Sequence, residues 1–403
     1  MQGNGWNRLT VRRGVVAAVA VGCCIALGGC SRLRPKPADK YVYVTARQTF
    51  LRDRVAAVSN RTGEVSNGEK LVVLDRARRF VKVRTPRGEV GWIEEKLTAD
   101  QALADKFEAL RVKHLLDPTV GHASARDEVY LHIAPGRETD RFFRLGEGDK
   151  LSLLSRAVVE KAVTPGAKLA AAAPKPVEAG AKAADKDAAA ASDAPPPPTL
   201  EDWWLVRDTK GDTGWIYSHL IDVDAPDALT RYAEGQRIVG AYVLTNVQDP
   251  DSGMLNNGVP VTSIPEYVTV LGPYKGGLPY DFDQVRVFTW NVKKHRYETA
   301  FREHNVAGYL PVVIAEKTDP YGKSVDAATP MPAFSYKVLA GDQAIPTPDP
   351  TTGLLIPGKT VTKTYRLEGN ICRRLLPPGT TGPEEYHPDP EVEKKVKVGK
   401  KKR

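Results

Sequence analysis

With 403 residues, 41% of them hydrophobic and 27% charged, the chain has room for two to four domains of ordinary size, and its 34 glycines and 31 prolines favour turns and short strands over long helices. The formal charge of +9 suggests a polyanion until it is located: Arg8, Arg12 and Arg13 lie in the first 30 residues and seven Lys or Arg in residues 394–403, which leaves −1 for everything between. Nucleic acid is therefore not an expected partner. Cys23, Cys24 and Cys30 fall in one amino-terminal apolar run and leave Cys372 alone, so neither a disulfide framework nor a cysteine zinc site can be built, and no metal or cofactor is expected.

In chain order, Arg12-Arg13 precedes an apolar run from Val15 to Gly29, too short for a comfortable bilayer span and suited to the core of a secretory signal. Leu27-Gly28-Gly29-Cys30 resembles the bacterial lipoprotein signal. That resemblance implies a signal peptide over 1–29, acylation of Cys30 and attachment to a membrane, since several acyl chains hold a protein where one binds marginally. Ser31, with no Asp there, implies delivery to the outer membrane, facing the periplasm. Residues 30–40, with two prolines, read as a tether.

A phrase then occurs twice. Gly91-Trp92-Ile93 lines up with Gly214-Trp215-Ile216, Val83-Arg84 with Val206-Arg207, Gly88 with Gly211, and Leu97 with Leu220. Upstream, Gly68-Glu69-Lys70-Leu71 lines up with Gly148-Asp149-Lys150-Leu151, and Leu51 with Leu131, each leucine 17 positions before its glycine. Alternating apolar residues between turn glycines suggest half-buried strands closed by the tryptophan. These residues resemble the bacterial SH3-like domain family, which implies two small barrels, at 41–97 and 125–223, acting as envelope binding or spacer modules. Arg52 matches the family's Leu-Arg step, whereas the second repeat has His132.

Between the repeats, Thr98 and Gln101 read as a capping box, and Leu103, Phe107, Leu110 and His114 share a helical face until Asp117-Pro118, giving a linker helix over 98–118. The second repeat needs 66 positions from strand glycine to phrase glycine where the first needs 23, and the excess is an Ala-, Lys- and Pro-rich stretch at about 161–200, expected to be a disordered insertion. Trp203 and Trp204 follow it. Strand alternation sends one inward and one outward, the outer being a candidate for stacking on a sugar or aromatic group.

From 227 to 374 eight runs read as strands: Ile238 to Leu244, Val259 to Ile264, Tyr267 to Leu271, Gln284 to Trp290, Arg296 to Phe301, Tyr309 to Ile314, Phe334 to Leu339 and Thr360 to Leu367. The expected fold class is all-β: two SH3-like barrels joined by a short helix, then a β-sandwich or barrel, with a disordered tail at 375–403 whose basic end could meet anionic lipid. No catalytic set is assembled. Cys372 is followed only by the tail and His387, and Asp249-Pro250-Asp251-Ser252-Gly253 loosely resembles a calcium loop without its third acid or closing glutamate. The leading expectation is a non-enzymatic envelope lipoprotein that binds peptidoglycan or a partner protein. The alternatives are a wall hydrolase with its carboxylates in the third region and a structural assembly factor.

Overall fold

The computed structural model describes residues 40–56, 59–162, 198–256 and 258–388. Cys30 and its signal, the tether, most of the Ala/Pro-rich stretch and the basic end of the tail lie outside these residues.

The first repeat is a seven-stranded antiparallel sheet made of β1 (Tyr41–Val44), β2 (Gln48–Arg52), β3 (Arg61–Ser66), β4 (Lys70–Ala77), β5 (Phe80–Arg84), β6 (Val90–Glu94) and β7 (Thr98–Asp100), in the order β3-β2-β6-β5-β4-β1-β7. The second contains β8 (Gly121–Ala125), β9 (Val129–His132), β10 (Arg141–Leu145), β11 (Lys150–Glu160), β12 (Leu200–Asp208), β13 (Thr213–Tyr217) and β14 (Ile221–Val223), in the order β10-β9-β13-β12-β11-β8-β14. Strand for strand the two orders are the same. Even the irregularity recurs: β4 slips register between Val73 and Asp75, and β11 between Leu153 and Ser155.

Neither sheet closes. In each, the two end strands pair only inward, so the expected SH3-like barrels are corrected to open antiparallel sheets. The tryptophans do not close the cores either. Ile93 and Ile216 fill them, while Trp92 is half-exposed and Trp215 joins a separate cluster on the far side of its sheet, because adjacent strand residues face opposite ways. The glycines of the phrase have a different task. A Cβ at Gly91 would lie 2.7 Å from Leu51 Cβ, and one at Gly214 2.7 Å from Leu131 Cβ, so each paired leucine and glycine allows two strands to approach closely. Gly88 and Gly211 turn their hairpins at φ +87 and +92, where side chains with a Cβ are strained.

The linker helix α1 (Gln101–Lys113) starts later than expected. Asp100 is its cap, accepting from Leu103 N at 2.8 Å, while Thr98 belongs to β7 and donates its hydroxyl to Glu95 O at 2.8 Å. Phe107 drops from α1 into the core of the second repeat beside Phe142, at a centroid distance of 5.7 Å.

The C-terminal region holds two four-stranded antiparallel sheets. One has the order β15 (Arg237–Gln248), β18 (Ser263–Gly272), β19 (Gln284–Asn291), β20 (Arg296–Glu303); the other has β21 (Gly308–Lys317), β22 (Met331–Leu339), β23 (Thr360–Glu368), β24 (Ile371–Arg374). A small hairpin of β16 (Leu255–Asn256) and β17 (Val259–Pro260) stands apart from both, and two four-residue helices, α2 (Asp227–Thr230) and α3 (Val325–Ala328), sit in connections. Val268, Val270, Val285 and Val287 of the first sheet share one core with Phe334, Tyr336, Val338 and Tyr365 of the second. This is a two-layer arrangement of open sheets, and the closed form expected as one option is absent from the described residues.

Candidate functional site

Second repeat and C-terminal sheets are joined by one buried cation. Arg156, on β11, donates from Nε to Asp281 Oδ1 (2.8 Å), from Nη1 to Asp202 Oδ1 (3.0 Å), and from Nη2 to the carbonyls of Leu278 and Tyr280 (2.8 Å each). A guanidinium can be held inside protein only when its forked donors are met in this way. Tyr242 adds a bond from its hydroxyl to Val120 O at 2.6 Å, and Val158 N donates to Gly353 O at 2.7 Å.

Beside this junction lies a cleft of about 510 Å³, within the range of small-ligand sites. Its floor carries Asp202, Trp204, Ser218 and Arg237, and its rim Arg126, His219, Asp222, Asp227 and Tyr274. Asp202 is 2% exposed and accepts from Arg156 and from Gly277 N (3.0 Å), with Arg237 Nη2 3.8 Å from its other oxygen. Burial pulls the Arg237 guanidinium below its ordinary pKa, opposed by Asp202. Arg237 Nε and the neighbouring Gln236 Oε1 have no hydrogen-bond partner, which costs free energy wherever water is shut out. On the rim Arg126 bonds Asp222 and holds its carboxyl below the usual range, Lys150 bonds Asp224 at 3.0 Å, and the Tyr274 ring is 74% exposed. The cleft thus offers anions, cations, hydroxyls and one open aromatic face.

Sequence reasoning placed its stacking candidates elsewhere. Trp203 and Trp204 are both buried: Trp204 in the core of the second repeat, Trp203 with Leu154, Leu205 and Trp215 on the opposite face of the sheet. The outward ring expected of one of them is not found, because the C-terminal region covers the outer face. Gly91, Gly214 and Trp215 are buried and Trp92 is half-exposed, as described above. Arg156, Asp202, Gln236, Arg237 and Tyr274 were missed. The signal that could have found Arg156 is its place in the repeat, 80 positions after Arg76 and within an otherwise apolar run.

The remaining candidates resolve into structure. Asp249 is buried, and its Oδ2 accepts from Trp290 Nε1 (2.7 Å) and bonds His295 Nδ1 (2.8 Å), so it is committed away from a calcium loop. Among the described residues no group of three or more His, Cys, Asp or Glu could hold a metal ion. Cys372 is half-buried and its pKa is pushed up to about 12, by burial first and then by Glu266, the reverse of an activated thiolate. Glu303 receives the hydroxyls of Tyr336 and Tyr365 and the Lys363 ammonium, which also bonds Glu385 at 2.7 Å. This buried network was not legible in the sequence.

Fold and cleft together define the class: two tandem open β-sheet repeats followed by a two-layer β region, with a polar cleft where they meet. No protein-family model matches the sequence, and no curated protein matches it. Among solved structures the chain is similar to NlpC2 from Trichomonas vaginalis (10% identity, TM-score 0.14, 50% of this chain and 56% of that one). It is also similar to an NlpC/P60 family protein from Bacillus cereus (14% identity, TM-score 0.20, 51% of this chain and 65% of that one). The chain spans less than two thirds of either structure, and TM-scores this low do not make the folds the same. The SH3-like assignment is corrected by the open sheets of both repeats, and the exclusion of enzymatic activity is withdrawn.

Proposed function

We propose that this chain is a cell-envelope protein that engages peptidoglycan in the cleft between its second repeat and its C-terminal sheets. The observation that carries the reading is the cleft's lining, where buried Asp202 and half-buried Arg237 lie beneath a rim of opposite charges and an open tyrosine ring. Muropeptides present sugars beside charged peptide, and both parts have counterparts here. The sequence supports the address: Leu27-Gly28-Gly29-Cys30 follows an apolar run, so Cys30 is proposed as the acylated anchor, with outer-membrane attachment facing the periplasm. Labelling with a palmitate analogue should mark the wild type and spare Cys30→Ala; equal labelling removes the anchor.

Co-sedimentation with purified peptidoglycan tests the cleft. The chain should pellet, and Tyr274→Ala combined with Arg126→Gln should weaken binding about tenfold, or about 1.4 kcal/mol. A chain that stays in the supernatant overturns the reading. A second reading, cleavage of the wall at the same cleft, is favoured by the four carboxylates gathered there, Asp202, Asp222, Asp224 and Asp227. Release of soluble muropeptides that is lost in Asp227→Asn would establish it. Binding without release would remove it.

A further inference from the structure

Residues 252–265 contain no charged side chain. Within them β16 and β17 pair only with each other, Leu255 opposite Pro260 and Asn256 opposite Val259, as a hairpin finger separate from the two larger sheets. Leu255 is 66% exposed and Val259 64%. An isolated two-stranded hairpin is marginal in water, but this one is braced at its root. Ser252 Oγ donates to Val261 O (2.5 Å) and accepts from Met254 N (3.2 Å), Val261 N donates to Met254 O (2.9 Å), and Asp249 N donates to Thr262 O (2.7 Å). Met254 and Val261 also pack against the cluster containing Trp290 and Tyr297. The exposed apolar tip is therefore presented by the fold.

The same root brings up a basic turn. His295 bonds Asp249 at 2.8 Å, which sets the turn Val292, Lys293, Lys294, His295, Arg296 beside the finger, with Val292 itself 42% exposed. The acids at this end are Glu298, bonded to Lys294 (2.9 Å) and Arg296 (3.2 Å), exposed Asp251, and Asp249, which faces His295. Exposed Lys293, Lys294 and Arg296 outnumber exposed Asp251 and half-buried Glu298. An uncharged apolar tip with cations at its base matches a bilayer interface, where aliphatic side chains reach the acyl boundary and ammonium groups meet phosphates. Leu255 and Val259 are both largely exposed, and a fluid lipid surface accommodates such side chains without a preformed groove.

We propose that the β16–β17 finger is a membrane contact, with Leu255 and Val259 entering the head-group and acyl boundary of a phospholipid bilayer and Lys293 and Lys294 lying at its phosphates. The contact is independent of the peptidoglycan reading. Hydrogen–deuterium exchange of the full chain, with and without vesicles, tests it. Amide exchange at 254–259 and 292–296 should slow about tenfold on vesicles containing phosphatidylglycerol and less on phosphatidylcholine alone. In Leu255→Asn/Val259→Asn that protection should vanish from both segments while near-UV circular dichroism is unchanged. The apolar run at Val15 to Gly29 can hold the chain on vesicles by itself, so protection there with an unchanged finger overturns the proposal. Equal protection on both lipids overturns the role assigned to the lysines.

Discussion

Arg76 and Arg156 occupy the same position of the two repeats, one residue past the same register slip, yet they live in different solvents. Arg76 has 51% of its side chain exposed and makes a surface pair with Glu95, whereas Arg156 has 4% exposed and binds two carboxylates and two carbonyls of its surroundings. Their neighbours diverge alike: Leu74 is 38% exposed and its counterpart Leu154 5%; Lys82 lies over the Trp92 ring where Leu205 packs beside Trp215. One backbone plan has been kept, but the outer face at Leu154 and Leu205 and the end of the inner face at Arg156, opposite Trp204, have been turned from solvated surface into interface. The rest of the inner face hardly differs, because strand pairing and the paired leucine and glycine fix it in both.

The sharpest way to break this comparison is to remove the two arginines. Arg156→Met leaves Asp202 and Asp281 buried without their shared cation and should cost about 3–5 kcal/mol. Arg76→Met removes an exposed pair and should change stability by less than about 1 kcal/mol. Urea unfolding followed by tryptophan fluorescence measures both, and equal losses would show that the two positions are energetically alike. The tryptophans of the repeated phrase give a second pair. Trp215→Ala opens a cavity in a packed cluster, at a cost of about 3–5 kcal/mol. Trp92→Ala deletes a half-exposed ring whose best contact is Lys82, 5.9 Å from its centroid, and should cost about 1 kcal/mol.

Where the repeats agree, substitutions should hurt equally. An added methyl at Gly91 must displace the Thr62 hydroxyl and Leu51, and one at Gly214 must displace Leu131; overpacking of that kind costs about 1–3 kcal/mol. Thermal unfolding of Gly91→Ala and Gly214→Ala should show similar falls in the corresponding transitions. A loss confined to Gly214→Ala, whose new Cβ would also lie 3.3 Å from Phe107, would mean that α1 rather than the leucine contact sets the requirement.

The sequence showed what recurs. Repeated glycines and leucines located the strands, and period-two runs fell on β15, β18, β19, β20, β21, β22 and β23, because local alternation and turn chemistry are written residue by residue. Val259 to Ile264 and Tyr267 to Leu271 were, however, read as two strands where β18 runs unbroken from Ser263 to Gly272, and β16 and β24 were missed. It did not show closure, which depends on whether β3 meets β7 at long range, nor the direction of Trp92 and Trp215, since a strong hydrophobe can serve either face. The cleft was invisible for the same reason. Asp202, Arg237 and Tyr274 are separated by long stretches of sequence and meet only where the second repeat docks on the C-terminal region, a junction held by Arg156, whose role depends on a neighbour that Arg76 lacks. Thr98 looked like a helix cap until its backbone paired with Val44 in the sheet.

The smallest difference is a single turn. In the first repeat Thr85 bonds Glu89, which also pairs with Arg87 at 3.3 Å; in the second, Asp208 and Asp212 occupy the same places and Asp212 N donates to Asp208 Oδ1 at 2.8 Å. Burial first, and the Asp208 charge next, push the Asp212 carboxyl up to about 6 from an ordinary 3.8. Between those values the folded chain keeps a proton that the unfolded chain has released. Its contribution to stability is therefore greatest below pH 3.8 and is lost as pH rises to about 6. Asp212→Asn should flatten that slope, and Asp208→Thr, which restores the first repeat's turn, should lower the Asp212 midpoint while leaving the part due to burial. Carboxyl carbon chemical shifts across the pH range read the midpoint directly. If Asp212 titrates near 4 in the wild type, the second turn is no more buried or crowded than the first, and this distinction between the repeats disappears.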